Sequence, residues 1–146
     1  MFNSATQKIG NYKVQVATIP EIPATGEKTQ ILFRVLDDAD NEVEKFRMGV
    51  RIFYKDVLVD TIPPQYHEGG HWDTNYVFRE SGNHIFRADL YDVAENSGII
   101  SYTFNISTLN PFGYIFIYVI SAGGIACLAI IVWILISRKK RMKTRP

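Results

Sequence analysis

Residues 112–137 read FGYIFIYVISAGGIACLAIIVWILIS, and this stretch divides the chain into two unlike parts. At about 1.5 Å of rise per residue a helix of that length exceeds the roughly 30 Å hydrocarbon core of a bilayer, so the sequence predicts a spanning helix with some tilt. Tyr114 and Tyr118 stand toward one end and Trp133 toward the other, where aromatic rings meet the headgroup regions. A buried core helix of a soluble protein is shorter and lacks the flanking charges.

Charge confirms the division. All 15 acidic residues lie at or before Glu95, and no Asp, Glu, Lys or Arg occurs from residue 96 to residue 137. Beyond the span come Arg138, Lys139, Lys140, Arg141, Lys143 and Arg145, so the formal charge of +1 splits into +6 for this tail and −5 for the rest. Basic residues flanking a span stay on the cytoplasmic side, which predicts a single-pass cell-membrane protein with the N-terminal domain outside and the C-terminus cytoplasmic. Met1-Phe2-Asn3-Ser4 offers neither a basic n-region nor an apolar h-region. Export is therefore expected to depend on the anchor helix itself or on a start that is processed. The lone Cys127 lies within the apolar run, so no disulfide braces the head domain and its core must hold it.

Upstream of the anchor, apolar and polar residues alternate with a period of two over residues 12–19, 28–36, 48–54, 57–62, 72–78, 84–91 and 100–106. Clusters of Pro, Gly, Asn and Asp separate these runs at residues 20–26, 37–41, 63–70, 81–83 and 95–98. Seven short strands with regular turns predict an all-β, seven-stranded immunoglobulin-like sandwich followed by one transmembrane α-helix. The inward faces read as Ile31/Phe33/Val35, Met48/Val50/Ile52/Tyr54, Trp72/Thr74/Tyr76/Phe78, His84/Phe86/Ala88/Leu90 and Ile100/Tyr102/Phe104/Ile106. The expected domains are an extracytoplasmic sandwich at 1–108, a linker and helix at 109–137, and a basic tail at 138–146.

Glu80-Ser81-Gly82-Asn83-His84-Ile85-Phe86 resembles the strand E to F corner of the immunoglobulin-like superfamily, with His84 at the usual tyrosine position and Phe86 at the usual cysteine position. Residues 11–92 also resemble the small YtkA-like and FixH-like envelope sandwiches. The matching features are a Pro-rich loop ending at Gly26, an acidic hairpin after Val35, and Glu80-Ser81-Gly82 before a strand. That resemblance implies an envelope sandwich tied to a membrane helix, although the FixH helix precedes the domain and here the helix follows it.

The densest chemistry is Tyr66-His67-Glu68-Gly69-Gly70-His71-Trp72, where His67, His71 and Glu68 are candidate copper or zinc ligands. Met48 offers a soft ligand in addition, but it alternates with Val50 and Ile52 as a core residue does. The competing expectation for the histidine segment is a solvated loop feeding a strand. Residues 37–42, DDADNE, gather carboxylates without the glycine an EF-hand turn requires, and read as a solvated hairpin. Asn105-Ile106-Ser107 fits the N-glycosylation acceptor pattern. Ala122, Gly123, Ala126 and Cys127 form overlapping small-xxx-small pairs that permit close helix packing in lipid.

No nucleophile with its base and no phosphate-cradling loop occurs in the sequence, so a non-enzyme is expected. The basic tail reads as a stop-transfer signal on anionic lipid rather than a nucleic-acid site. The expected function is a non-catalytic accessory subunit of a membrane protein complex, its partners other integral membrane subunits and the lipid bilayer. A place beside a copper-dependent membrane oxidase or monooxygenase is part of that expectation, with no cofactor of its own. The rival from the histidine cluster is a membrane-tethered copper-binding or copper-delivery protein.

Overall fold

The computed structural model describes residues 4–92 and 98–143, and in the helix the side chains other than those of residues 113, 114, 138 and 140–143. The turn expected at residues 95–98 thus lies largely outside the described residues. Among the described residues eight strands precede one helix: β1 (Ser4–Ile9), β2 (Tyr12–Ile19), β3 (Lys28–Leu36), β4 (Lys45–Tyr54), β5 (Val57–Glu68), β6 (His71–Val77), β7 (Gly82–Tyr91), β8 (Ile100–Thr108) and α1 (Pro111–Lys143). They form two four-stranded antiparallel sheets, ordered β1-β2-β3-β6 and β5-β4-β7-β8. The head, Met1–Asn110, and the helical part, Pro111–Pro146, are separate compact units.

The period-two pattern produces this sandwich because successive side chains of a strand point to opposite faces. Val14 and Val16 of β2, Ile31, Phe33 and Val35 of β3, and Phe46, Met48, Val50 and Ile52 of β4 meet Phe86, Ala88 and Leu90 of β7 and Tyr102, Phe104 and Ile106 of β8 in one dry layer. Burying each such side chain stabilises the fold by about 1.5–3 kcal/mol. Phe86 sits in an aromatic cluster, its ring centroid 5.8 Å from Tyr76 and 5.9 Å from Phe78.

Two features depart from the seven-strand expectation. Ser4–Ile9 is an additional edge strand, paired along β2 from Ser4↔Ala17 to Ile9↔Tyr12. Only its last residue is a large apolar one, so alternation did not mark it. The strand at 57–62 also continues through Pro63 and Pro64 to Glu68, where turn residues predict a loop. Proline is tolerated because β5 is an edge strand and has no ladder to donate to on its free side. The absent side chain of Gly49 on β4 makes room for this segment, since a Cβ there would lie only 3.0 Å from Pro64 Cγ.

The sandwich is closed by polar contacts at its rims. The Tyr102 hydroxyl donates to the Tyr12 carbonyl at 3.1 Å, and burial pushes its pKa to about 12, so it stays a donor. Gln7 Oε1 accepts from Thr103 N at 2.8 Å, bridging the free edges of β1 and β8. On the outer face of the second sheet Arg51 donates to both oxygens of the buried Asp89, at 2.7 and 2.9 Å, and Ser101 adds a third donor. The Glu80–Gly82 corner crosses from β6 of one sheet to β7 of the other. It is held by Tyr54, whose hydroxyl donates to Ser81 O at 3.0 Å, and by Thr108, which lies 2.9 Å from Glu80 O.

α1 contains a span, Ile115–Ser137, of mean hydropathy 2.7, and the helix fits a single-pass membrane anchor. Its 23 residues reach about 35 Å. Truncation of Phe86 to Ala should destabilise the head by about 3–5 kcal/mol, because the cavity left between the sheets cannot collapse. Thermal unfolding of the full chain in detergent, followed by near-ultraviolet circular dichroism, measures this.

Candidate functional site

The histidine segment forms a turn at one end of the sandwich, where the chain crosses from β5 of one sheet to β6 of the other. β5 delivers His67 and Glu68, Gly69 and Gly70 make the turn with φ of +80° and +70°, and β6 begins at His71. Two backbone bonds hold the turn, Gly69 N to Glu44 O at 2.9 Å and Val35 N to Gly70 O at 2.7 Å. Because the segment is strand rather than loop, its alternation decides where each side chain goes.

His67 turns inward. Its ring stacks on Trp72 at 4.5 Å and lies 5.3 Å from Phe46, so the imidazole bridges the two sheets at this end of the core. Burial lowers its pKa below the usual histidine value, and Nε2 has no hydrogen-bond partner among the described residues. His71 turns outward, in register with Arg34 on β3. Its Nδ1 lies 2.7 Å from Gly69 O, and because a carbonyl only accepts, Nδ1 carries the proton and Nε2 keeps the lone pair in the neutral ring. Glu42 Oε2 is 3.9 Å from His71 Nδ1, while Glu42 Oε1 accepts from Arg34 Nε at 2.7 Å.

The Gly69-Gly70 turn carries the chain from one sheet to the other, so His67 faces the interior from β5 while His71 faces outward from β6, and Glu68 is exposed. Among the described residues no group of three His, Cys, Asp or Glu side chains stands ready around one point. Met48 is fully buried in the core. The acidic hairpin is internally satisfied: Asp37 caps the backbone amides of Ala39 and Asn41, which lowers its pKa. Asp38, Asp40 and Glu42 pair with Lys8, Lys13 and Arg34. Asn105 is exposed on the outer face of β8, 3.3 Å from the Asn83 amide. On the helix Ala122, Gly123, Ala126 and Cys127 are all exposed.

His71 and Arg34 also border a feature the sequence did not announce, a shallow groove of about 590 Å³ on the outer face of the β1-β2-β3-β6 sheet. Ala17 and Leu32 line it with Gln15 and Asp73. The signal was present in the register, since Ser4↔Ala17 and Leu32↔Asp73 align small and apolar residues in one outward row across the four strands.

A second distinctive group lies at the opposite end of the core. His84 is 2% exposed, with Tyr54 stacked on it at 4.9 Å and Phe78 edge-on at 4.9 Å. Burial lowers its pKa, and a backbone hydrogen bond with Gly82 and the charge of Glu80 pull weakly the other way.

No protein-family model matches the chain, and no curated protein matches it. Among solved structures, the crystal structure of the PmoD soluble domain from Methylocystis sp. ATCC 49242 (Rockwell) superposes with a TM-score of 0.54 at 15% sequence identity. The likeness is one of fold. It covers 71% of this chain and 96% of that one.

Substituting Gly70 with Ala should cost at least about 1–2 kcal/mol, because a non-glycine residue is strained at positive φ and the new Cβ would lie 2.5 Å from Glu42 Cβ. Thermal unfolding reads the loss. pH supplies a further test. His67 and His84 are both depressed in the folded chain, so below about pH 6.5 the unfolded chain binds protons that the folded chain refuses. Stability should be fully present above that pH and fall as pH drops toward the folded values. His84→Phe should flatten the fall in the melting temperature between about pH 6.5 and 5.

Proposed function

We propose that this chain is a non-catalytic accessory subunit of a membrane protein complex, its sandwich on the outer face and its helix packed among other spans. The observation that carries the reading is the joining of two parts: a sandwich similar in fold to a PmoD soluble domain, and an apolar C-terminal helix separated by the single residue Asn110 from the last bridged position, Leu109. A head on so short a tether serves neighbours in the same membrane rather than distant ligands. A place beside a copper-dependent membrane oxidase or monooxygenase is part of this reading. The basic residues following the span favour an outward head and a cytoplasmic tail.

The helix contributes Ala122, Gly123, Ala126 and Cys127 as a face on which another helix can approach closely. The described chemistry supports a recognition role. Among the described residues the exposed His71 has no nucleophile beside it, and the short contact of Ser101 with Asp89 at 2.5 Å has its carboxylate already paired with Arg51. The copper-delivery alternative draws on the exposed His71, whose Nδ1 is engaged by Gly69 O and lies 3.9 Å from Glu42 Oε2, leaving Nε2 as the nitrogen with a lone pair.

Extraction of native membranes in mild detergent, followed by native electrophoresis and affinity capture of the tagged full chain, tests the proposal. The chain should migrate in an assembly with other integral membrane proteins, and Gly123→Leu with Ala126→Leu should reduce its recovery there while leaving the head folded. A monomer in every such extract would refute the reading. Titration of the detergent-solubilised chain with Cu(II) and Cu(I) should show no binding tighter than free histidine. Tight binding lost in His71→Ala would instead favour the copper-delivery alternative.

A further inference from the structure

The exposed large apolar side chains of the head are unevenly distributed. Among the described residues Ile19, Ile22, Val57, Leu58, Val59 and Val77 lie at one end of the sandwich, and only Tyr66 and Ile99 at the other. Strand register defines the first end. Tyr54↔Val57 and Phe53↔Leu58 put the β4–β5 hairpin there, and Tyr54↔His84 with Gly82↔Thr108 puts the end of β8 beside it. Ala24↔Leu109 adds the loop that follows Ile19, and Lys28↔Val77 adds the end of β6. Tyr66, at the far end, is engaged: Asp92 accepts from its hydroxyl, and Lys45 and Arg47 lie over its ring.

This apolar end is also where the chain leaves the head. Leu109 is pinned by two backbone bonds, its N–H donating to Pro23 O at 2.8 Å and its carbonyl accepting from Thr25 N at 2.9 Å. Asn110 alone separates it from the first helical residue, Pro111, and the apolar span begins at Ile115. Two peptide steps reach at most about 7 Å, and four helical residues add about 6 Å. The headgroup layer on each side of the hydrocarbon is itself about 5–7 Å deep. The covalent geometry therefore keeps Leu109 of a membrane-inserted copy within about 13 Å of the hydrocarbon.

We infer that the apolar end of the sandwich, formed by Val57, Leu58 and Val59 of the β4–β5 hairpin with Ile19 and Val77, seats in the interface of a zwitterionic lipid bilayer. The chemistry fits a partly hydrated apolar layer: a continuous run of three branched aliphatic side chains, each about half exposed or more, at a hairpin tip. Charge argues against anionic lipid as the attractant there, because Glu21, Glu27, Asp56 and Glu80 outnumber Lys28, Lys55 and Arg79. The inference rests on the spanning helix and not on the accessory-subunit reading, so either can fail without the other.

The test uses the full chain with Cys127→Ser, carrying single cysteines at Leu58, Val77 or Ile99 labelled with a nitroxide and reconstituted in phosphatidylcholine vesicles. Labels at 58 and 77 should collide freely with oxygen and lose collisions with a water-soluble nickel chelate, while the label at 99 should show the reverse. Equal nickel access at all three positions overturns the inference. Exclusion of both reagents at 58 and 77 with dipolar broadening also overturns it, because a second copy would then cover this end. Leu58→Trp quenched by brominated lipid beyond the quenching inherent to Trp133 provides a label-free check, and absence of added quenching counts against the inference.

Discussion

A β-sheet has two faces and a four-stranded sheet cannot bury both, so the head depends on every second residue of its strands entering one dry layer. That constraint sets the rest. It makes His84, Phe86, Ala88 and Leu90 of β7 core residues and leaves Arg87 and Asn83 outside. His67 and His71, four residues apart, fall on different sheets because the two-glycine turn between them crosses from β5 to β6, and only His67 enters that layer. Without a disulfide, the interlayer packing of about sixteen buried apolar side chains is what makes the head cooperative.

Packing alone leaves the rims open, and there the structure uses hydroxyls and amides. Tyr102 reaches from β8 to the β1–β2 turn, Gln7 joins the edges of β1 and β8, and Tyr54 and Thr108 hold the crossing at residues 80–82. The last of these takes the place of the corner tyrosine expected from the immunoglobulin-like resemblance. His84 occupies that sequence position, but its ring is packed between Tyr54 and Phe78, and hydroxyls from neighbouring strands make the backbone bonds instead. Among the described residues two buried histidine nitrogens, Nε2 of His67 and Nδ1 of His84, have no hydrogen-bond partner, so the stability of the head leans on neutral imidazoles.

The inward faces of β3, β4, β6, β7 and β8 were legible because alternation of large apolar residues is a direct imprint of burial. The span was legible because lipid tolerates so few charges. β1 was not, since SATQKI pairs by backbone bonds and carries almost no apolar signal. β5 was cut short because prolines usually break ladders, and their tolerance depends on an edge position that only the sheet order reveals. The histidine cluster shows the sharper limit: spacing along the chain suggested convergence, whereas strand geometry decides on which face each side chain stands. The groove beside Arg34 was hidden for a related reason, since it arises from small residues on four strands distant in sequence.

The anchor helix and the head carry different kinds of information. The span is apolar on every face, with no polar stripe to select a neighbour, so its hydrophobicity fixes a place in the membrane without choosing a partner. Small residues at 122, 123, 126 and 127 allow close approach but are tolerant of what approaches. The groups that are costly to mismatch belong to the head: the Arg34–Glu42–His71 cluster, and the Lys45, Arg47 and Asp92 side chains around Tyr66. Both lie at the end of the sandwich away from Leu109, whereas the exposed aliphatic side chains crowd the end at Leu109. A head polarised in this way offers non-directional apolar surface at one end and directional, desolvation-sensitive polar groups at the other.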